Sequence, residues 1–539
     1  MYFFEVKPVN LTSYLRQILL TNVRIFGIIS KNLTIVGIIM KNQKSKKGGF
    51  TSGLGFILAA AGSAIGLGNL WAFPYKTAKN GGAIFVLLYI ACVLFIGAIT
   101  MICEIFVGRR AQANPISAFK KVHKNLGWVG LIAIAVPTII VCYYSVLGGY
   151  TVKFATNSFF GNADGLQAFA SSSWQVILFT AIFMLLALTV VMAGVKGGIE
   201  KASKVLMPAL FILLVAVVIF VLCLGEGVAE GLAYYLIPDF SKLSFSTILA
   251  AMGQAFYSLS LGMGAMIVYG SYTGKEINIV KSTGMICVFD TLVALLSGLA
   301  IFPAVFHFSA IAGVDTSTLN LNGIMLMFET LPKVFESIGF FGNIIEFFFF
   351  VMVAIAAVTS VISIMEVASQ FVIQKFKISR KIATAAIALT TFAVAVPVSI
   401  SLGHLLNGSS QMTILGMDWL SFLDTVTNTV LMPLCALLSC ITVGWFIGPK
   451  QTLAELKADG NSFGKLETFV GVMIKFVVPA LILLIEILGV IDLIFPQGAF
   501  SLNGLGVVLI AYGLFALLIG AYFLFLRNGE TGTNADEIA

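Results

Sequence analysis

Residues 53–74 read GLGFILAAAGSAIGLGNLWAFP, a stretch long and apolar enough to cross a bilayer but poorly suited to a continuous helix. Gly62, Gly66 and Gly68 crowd its middle, Asn69 follows and Pro74 closes it. Glycine costs about 1 kcal/mol relative to alanine inside a helix. In hydrocarbon, each backbone group freed by a break costs several kcal/mol more unless it finds a partner. A broken helix at membrane depth therefore points to a bound ion or ligand. A second interruption, SLSLGMG, falls at 258–264 between Gly253 and Tyr272. Two such breaks at corresponding places in the two halves of a chain mark the binding site of a carrier.

Composition excludes a soluble domain. Of 539 residues, 59% are hydrophobic and 10% charged, against about 25% charged in soluble domains, and the mean hydropathy is +1.02. The net charge of +8 carries no nucleic-acid signal, because the basic residues fall on alternate loops. Arg109, Arg110, Lys120, Lys121 and Lys124 form one group, Lys196, Lys201 and Lys204 a second, and Lys375, Lys377, Arg380 and Lys381 a third. The intervening loops are neutral or acidic, with Asp164, then Glu226, Glu230 and Asp239, then Asp315, Glu329 and Glu336. That alternation predicts a cytoplasmic N-terminus, and the expected location is the plasma membrane. The seven cysteines lie in apolar segments without metal-ligand spacing and are read as reduced packing residues. The three histidines do not cluster.

Apolar windows of about 20 residues predict twelve spans, centred near 64, 95, 140, 183, 214, 260, 292, 356, 390, 434, 484 and 515. Residues 315–340 are expected to form a folded outer lid rather than a span. Spans one to five and six to ten make two five-helix halves, each opening with a broken helix. Five is odd, so the second half enters from the opposite side, which gives an inverted repeat. The expected organisation is a cytoplasmic segment 1–47, a ten-span transport core 48–448, two accessory spans over 449–526 and a cytoplasmic tail 527–539. Residues 1–39 lack a signal-peptide cleavage site, and Met40 opens onto a basic preface to the first span, so the natural start is expected at Met40, with residues 1–39 a disordered or mis-called extension.

Three segments carry a family resemblance: AAAGSAIGLGNLWAFPY (59–75), GVKGGIEKASKVLMPALF (194–211) and GQAFYSLSLGMG (253–264). They resemble the neurotransmitter:sodium symporters, in particular the bacterial amino-acid transporters. The resemblance runs from about Gly49 to the end of the chain. It implies an all-α LeuT-type fold and sodium-coupled amino-acid symport by alternating access, with no enzymatic activity.

The resemblance also implies two sodium sites, built from the hard oxygen donors such a cation needs. One would use the Ala64 carbonyl, Asn69, Ser258 and Asp290, completed by the substrate carboxylate. The other would use the carbonyls of Gly62, Ile65 and Ala356 with the hydroxyls of Thr359 and Ser360. Read without the family, Thr359 and Ser360 could equally bond back within their own helix. Asp290 stands out by itself, since a carboxylate deep in an apolar span is a functional candidate by default. Many family members have Asn there and bind chloride nearby. Here that neighbourhood is Tyr89, Gln254, Ser258 and Ala294, and Ala294 offers no hydroxyl. Asp290 is therefore expected to supply the negative charge itself, with no chloride required. Proton antiport on the return step is a further possibility.

For the substrate, the half-helix starting near Gly68 would present its positive end to a carboxylate, and Tyr144 would donate its hydroxyl. Carbonyls near Ala64 and Tyr257, with Ser258, would receive the amine. Gly66 stands where amine-selective relatives carry Asp, which favours an α-amino acid over a monoamine. The side-chain subsite would comprise Ile140, Tyr257, Ser260, Met263, Ser360 and Ile364, suited to a hydrophobic or aromatic amino acid. The family's outer gate Arg is replaced by Ala72, leaving Asp424 without it; Lys76 or Lys79 are the candidate substitutes. At the inner gate Lys47 is the candidate base. Gln374 replaces the expected acid, with Glu366 as an alternative near Tyr272. Glu104 resembles an acid that supports unwound backbone.

Competing classes are an ion channel, an intramembrane enzyme and an amino-acid sensor. Broken helices line pores too, but the inverted repeat favours a carrier. No nucleophile with a positioned base appears. Binding without accumulation would mark a sensor.

Overall fold

The computed structural model describes residues 49–161, 165–316, 323–337, 339–409 and 411–527. The expectations for residues 1–39, Met40, Lys47, Asp164 and the tail beyond Arg527 lie outside them. Among the described residues, ten helices are long and apolar enough to cross a membrane: Ala83–Ala111, Gly127–Phe160, Ser173–Met192, Val195–Leu222, Ile279–Ala312, Phe340–Phe376, Arg380–Leu406, Trp419–Ile447, Glu467–Ile494 and Leu502–Leu526. They are spans 2 to 5 and 7 to 12. Two interrupted elements complete the expected twelve. Span 1 pairs Gly53–Ala64 with Gly68–Lys79 at a 49° bend. Span 6 pairs Phe245–Ser258 with Ala265–Ser271 across residues 259–264.

The breaks follow from backbone chemistry. Ile65 leaves the helix with ψ 106°. In span 6, Ser260, Gly262 and Gly264 take φ of +52°, +75° and +68°, in the left-handed region. A Cβ at Gly262 would lie 2.2 Å from the Met432 carbonyl oxygen, so the turn needs both the conformation and the space. The chain restarts as helix once that region is passed.

Spans 1 and 6 sit inside a cage of the others. Span 3 is 78% buried over its apolar window, whereas spans 11 and 12 are each 22% buried, which places the last pair at the periphery. The outer segment is folded as expected: Leu326–Thr330 and Leu331–Ser337 are helical, and Phe328 stacks on Phe350 and meets Phe154. One element departs from an all-α reading. Thr413–Ile414 (β1) pairs antiparallel with Met417–Asp418 (β2), and Asp418 then accepts hydrogen bonds from the Leu420 and Ser421 amides to start span 10. Six cysteines are buried as packing residues; Cys223, at the end of span 5, is exposed.

Candidate functional site

The two breaks face each other, and side chains from four other spans close on them. Asp290, fully buried on span 7, is the centre of one cluster. The Asn69 amide nitrogen donates to its Oδ1 at 2.8 Å and to Ser258 Oγ at 2.9 Å. Ser258 Oγ lies 3.0 and 2.8 Å from the two carboxylate oxygens, and Tyr89 donates to Oδ2 at 3.1 Å. Thus Asn69, Ser258 and Asp290, singled out from the sequence, converge. The Asn69 oxygen accepts from the Gly66 amide at 3.2 Å. The Asn69 side chain thus turns its nitrogen toward the carboxylate and hydroxyl oxygens gathered here; a hard cation, which needs oxygen donors, would call for that side-chain amide to turn round. From the supposed chloride neighbourhood, Gln254 is committed elsewhere: its amide donates to the Gly68 carbonyl at 2.7 Å.

The freed backbone of span 1 is taken up by hydroxyls. Ser260 and Ser360 both donate to the Ser63 carbonyl, at 2.8 and 3.1 Å. The Leu67 amide, at the start of the second half-helix, donates to the Tyr144 hydroxyl at 3.1 Å. In span 6 the Gly262 amide donates to Glu104 Oε1 at 2.8 Å, the backbone support expected of that acid.

Ala64, Gly66, Gly68, Ile140, Tyr144, Tyr257, Ser260, Met263, Ser360 and Ile364 line one cavity between the breaks. Ser258 belongs to the Asp290 cluster instead. The cavity is closed down to about 10 Å³, room for a single water, so a larger guest must part these side chains. Of the other expected ion site, Gly62, Ala356 and Thr359 lie together. A Cβ on Gly62 would lie 3.3 Å from Thr359 Cβ. Thr359 Oγ1 bonds back to the carbonyls of Ile355 and Ala356, at 3.1 and 3.0 Å, and Ser360 turns to Ser63, so the helical back-bonding read from the sequence holds for Thr359 in this conformation.

Both mouths are fastened. On one side Glu366, fully buried, takes a two-pronged hydrogen bond from Arg380, at 2.6 and 3.0 Å, and one from Tyr272 at 2.6 Å. Gln374 instead accepts from the backbone and side-chain nitrogens of Asn114. Sequence reasoning proposed Glu366 but missed Arg380 as its base. The junction of spans 8 and 9 offers Lys375, Lys377, Arg380 and Lys381, and position alone did not single out Arg380. Sequence reasoning also missed Glu200, which accepts from the Thr51 amide at 2.8 Å and from its hydroxyl, and pairs with Lys204 at 2.6 Å. Phe50 seals this end edge-on to Tyr269. At the other mouth, Lys76 lies 5.7 Å over the Tyr257 ring and feels the charge of Asp424, which the amide of Asn428 binds. Of the two lysines considered for the arginine missing at Ala72, Lys76 is the one that lies over Tyr257.

A multi-pass helical cage around two broken spans with a small cavity between them is the build of a membrane transporter. The chain belongs to the sodium:neurotransmitter symporter family, whose model matches residues 47–164 and 160–501. The sodium-dependent transporter YhdH of Bacillus subtilis is 35% identical over 458 residues, covering 83% of this chain and 98% of that one. A sodium-dependent transporter of Haemophilus influenzae is 32% identical over 477 residues, covering 83% and 99%. The crystal structure of MhsT in complex with L-phenylalanine superposes with a TM-score of 0.74 at 34% identity, over 82% of this chain and 100% of that chain. The fold is therefore the LeuT type, with an inverted repeat opened by broken spans 1 and 6, and sodium use follows from the family.

Proposed function

We propose that this protein moves an α-amino acid into the cell in symport with sodium, by alternating access. The observation that carries the reading is the meeting of Asn69, Ser258 and Asp290 beside a cavity into which Tyr144 and the start of a half-helix are directed. An acid-bearing solute would receive the Tyr144 hydroxyl and the half-helix dipole. The largely apolar side chains of Ile140, Met263 and Ile364 suit a hydrophobic or aromatic side chain. MhsT, the structural neighbour, binds L-phenylalanine, which supports the same class of solute.

Two sodium ions are assigned. Ala64, Asn69, Ser258 and Asp290 hold one; Gly62, Ile65, Ala356, Thr359 and Ser360 hold the other after Thr359 rotates from its own helix. Two charges crossing 100 mV down a tenfold gradient supply about 7 kcal/mol, enough for roughly 10⁵-fold accumulation of a zwitterion. Asp290 replaces chloride as the local anion. The basic loops support a cytoplasmic N-terminus, and we assign the protein to the plasma membrane, with ten core spans to 448 and two accessory spans to 526. The experiment is reconstitution into liposomes under an imposed sodium gradient, with labelled amino acids and chloride replaced by gluconate. Saturable accumulation that needs sodium and survives gluconate is expected. Accumulation indifferent to sodium, or binding without accumulation, overturns the reading.

A further inference from the structure

A second, much larger cavity lies away from the breaks. It holds about 480 Å³ and runs along one face of span 8 through Phe347, Val351, Ala354 and Val358. These positions recur every three to four residues, so the furrow follows the helix axis for about 16 Å. That is roughly half the 30 Å hydrocarbon thickness of a bilayer, the depth of one leaflet. Ala155 and Phe159 of span 3 wall one stretch, and Leu186 of span 4 and Leu206 of span 5 wall the rest.

Two hydroxyls reach the lining, and both are satisfied within their own helices: Thr156 donates to the Lys153 carbonyl and Thr189 to the Leu186 carbonyl, each at 2.7 Å. Water needs two to four polar partners, which such a lining does not offer. Left empty, a void of this size would forfeit contacts along its whole length. The furrow is also continuous with the lipid-facing surface. Phe159 and Leu186 in its walls are 65% and 49% exposed, and Leu185 beside them is 56% exposed.

We infer that this furrow is a built site for one acyl chain of a phospholipid from the surrounding bilayer. Its length, its apolar lining and its lateral opening fit a single extended hydrocarbon chain. It backs onto the residues assigned to the second ion. Ile355, which lines it, gives its carbonyl to Thr359, and Leu206 precedes Met207, whose sulfur would lie 3.2 Å from a Cβ at Gly62. Occupancy would therefore brace the wall behind Gly62 and Thr359. That consequence rests on the proposed sodium role; the lipid site does not.

The test uses the full-length protein in liposomes containing a phospholipid with a diazirine in mid-chain, followed by irradiation and peptide mapping. Labelling concentrated on residues 347–358 and 152–159 is expected, above that at Ile212, a 70% exposed position on span 5 that serves as an annular reference. Ala354→Phe should cut the furrow signal at least fivefold and leave the reference unchanged. Ala155→Leu, a smaller intrusion, should cut it about twofold and provides the reading if the larger variant does not fold. Furrow labelling no greater than at Ile212 in the unmodified protein overturns the site. So does capture of diazirine-palmitate but not the phospholipid, or crosslinking there to a second copy of the chain. Sodium dependence of uptake, read separately, bears on the proposed function alone.

Discussion

Glu366 and Arg380 form a two-pronged ion pair, at 2.6 and 3.0 Å, between a position inside span 8 and the first residue of span 9, with the carboxylate fully buried. Tyr272 donates to the same carboxylate at 2.6 Å, so the second half of span 6 is tied to a pair that spans 8 and 9 hold between them. The cation comes from the helix next door, where the family pattern places it ahead of the first span. Removing one partner of a buried pair leaves an uncompensated charge and costs about 3–5 kcal/mol. Glu366→Gln should therefore loosen this mouth. In inside-out vesicles, a Ser260→Cys reporter should react with a membrane-impermeant thiol reagent several-fold faster in the Glu366→Gln background, after subtraction of native cysteine reactivity. An unchanged rate would mean that the pair does not hold the mouth shut.

Asp290 is the one carboxylate in the cluster it forms with Asn69, Ser258 and Tyr89. Asp290→Asn keeps the shape and removes the charge. Apparent sodium affinity should fall at least tenfold, equivalent to about 1.4 kcal/mol. Measuring uptake against sodium concentration, with chloride and with gluconate, checks this. If the variant regains activity only in chloride, the anion has taken over the role assigned to the side chain.

Tyr144 touches the start of a half-helix through its hydroxyl, 3.1 Å from the Leu67 amide. A hydrogen bond to a charged group contributes about 1.5–3 kcal/mol. Tyr144→Phe should raise the KM for the transported amino acid roughly 10- to 100-fold while leaving sodium dependence nearly intact. Equal loss of both would indicate a disturbed break instead of a lost contact to solute.

Glu104 holds the Gly262 amide at 2.8 Å from full burial. Glutamine keeps an oxygen for that amide, whereas alanine leaves the donor orphaned at a cost of about 1–3 kcal/mol. Glu104→Gln should retain most uptake, and Glu104→Ala should lose most of it together with thermal stability in detergent. Loss in both variants, with melting unchanged in the glutamine form, would point to proton carriage.

The architecture was legible wherever a signal was local. Glycines at 62, 66, 68, 262 and 264 announce the breaks, because helix propensity is a property of neighbours along the chain. Asp290 announces itself by its polarity in an apolar run. The lining of the central cavity was accessible only through family resemblance, since Ile140, Met263 and Ile364 look like any core residue. Partners set by the packing of distant spans stayed hidden. Nothing near Thr51 names Glu200, 149 positions away, and nothing near Glu366 distinguishes Arg380 from the other bases of its loop. The small hairpin at 413–418 escaped notice because two-residue strands carry no periodicity.

The carbonyl of Ser63 is claimed at once by serines from two different spans. An oxygen with two lone pairs is saturated by that double claim, so it has none to spare for solvent or cargo. Any tilt of the first half-helix must shed the two contacts together or one after the other. The first half-helix is thus held at one carbonyl by two other spans at once, and its release needs both of them to let go.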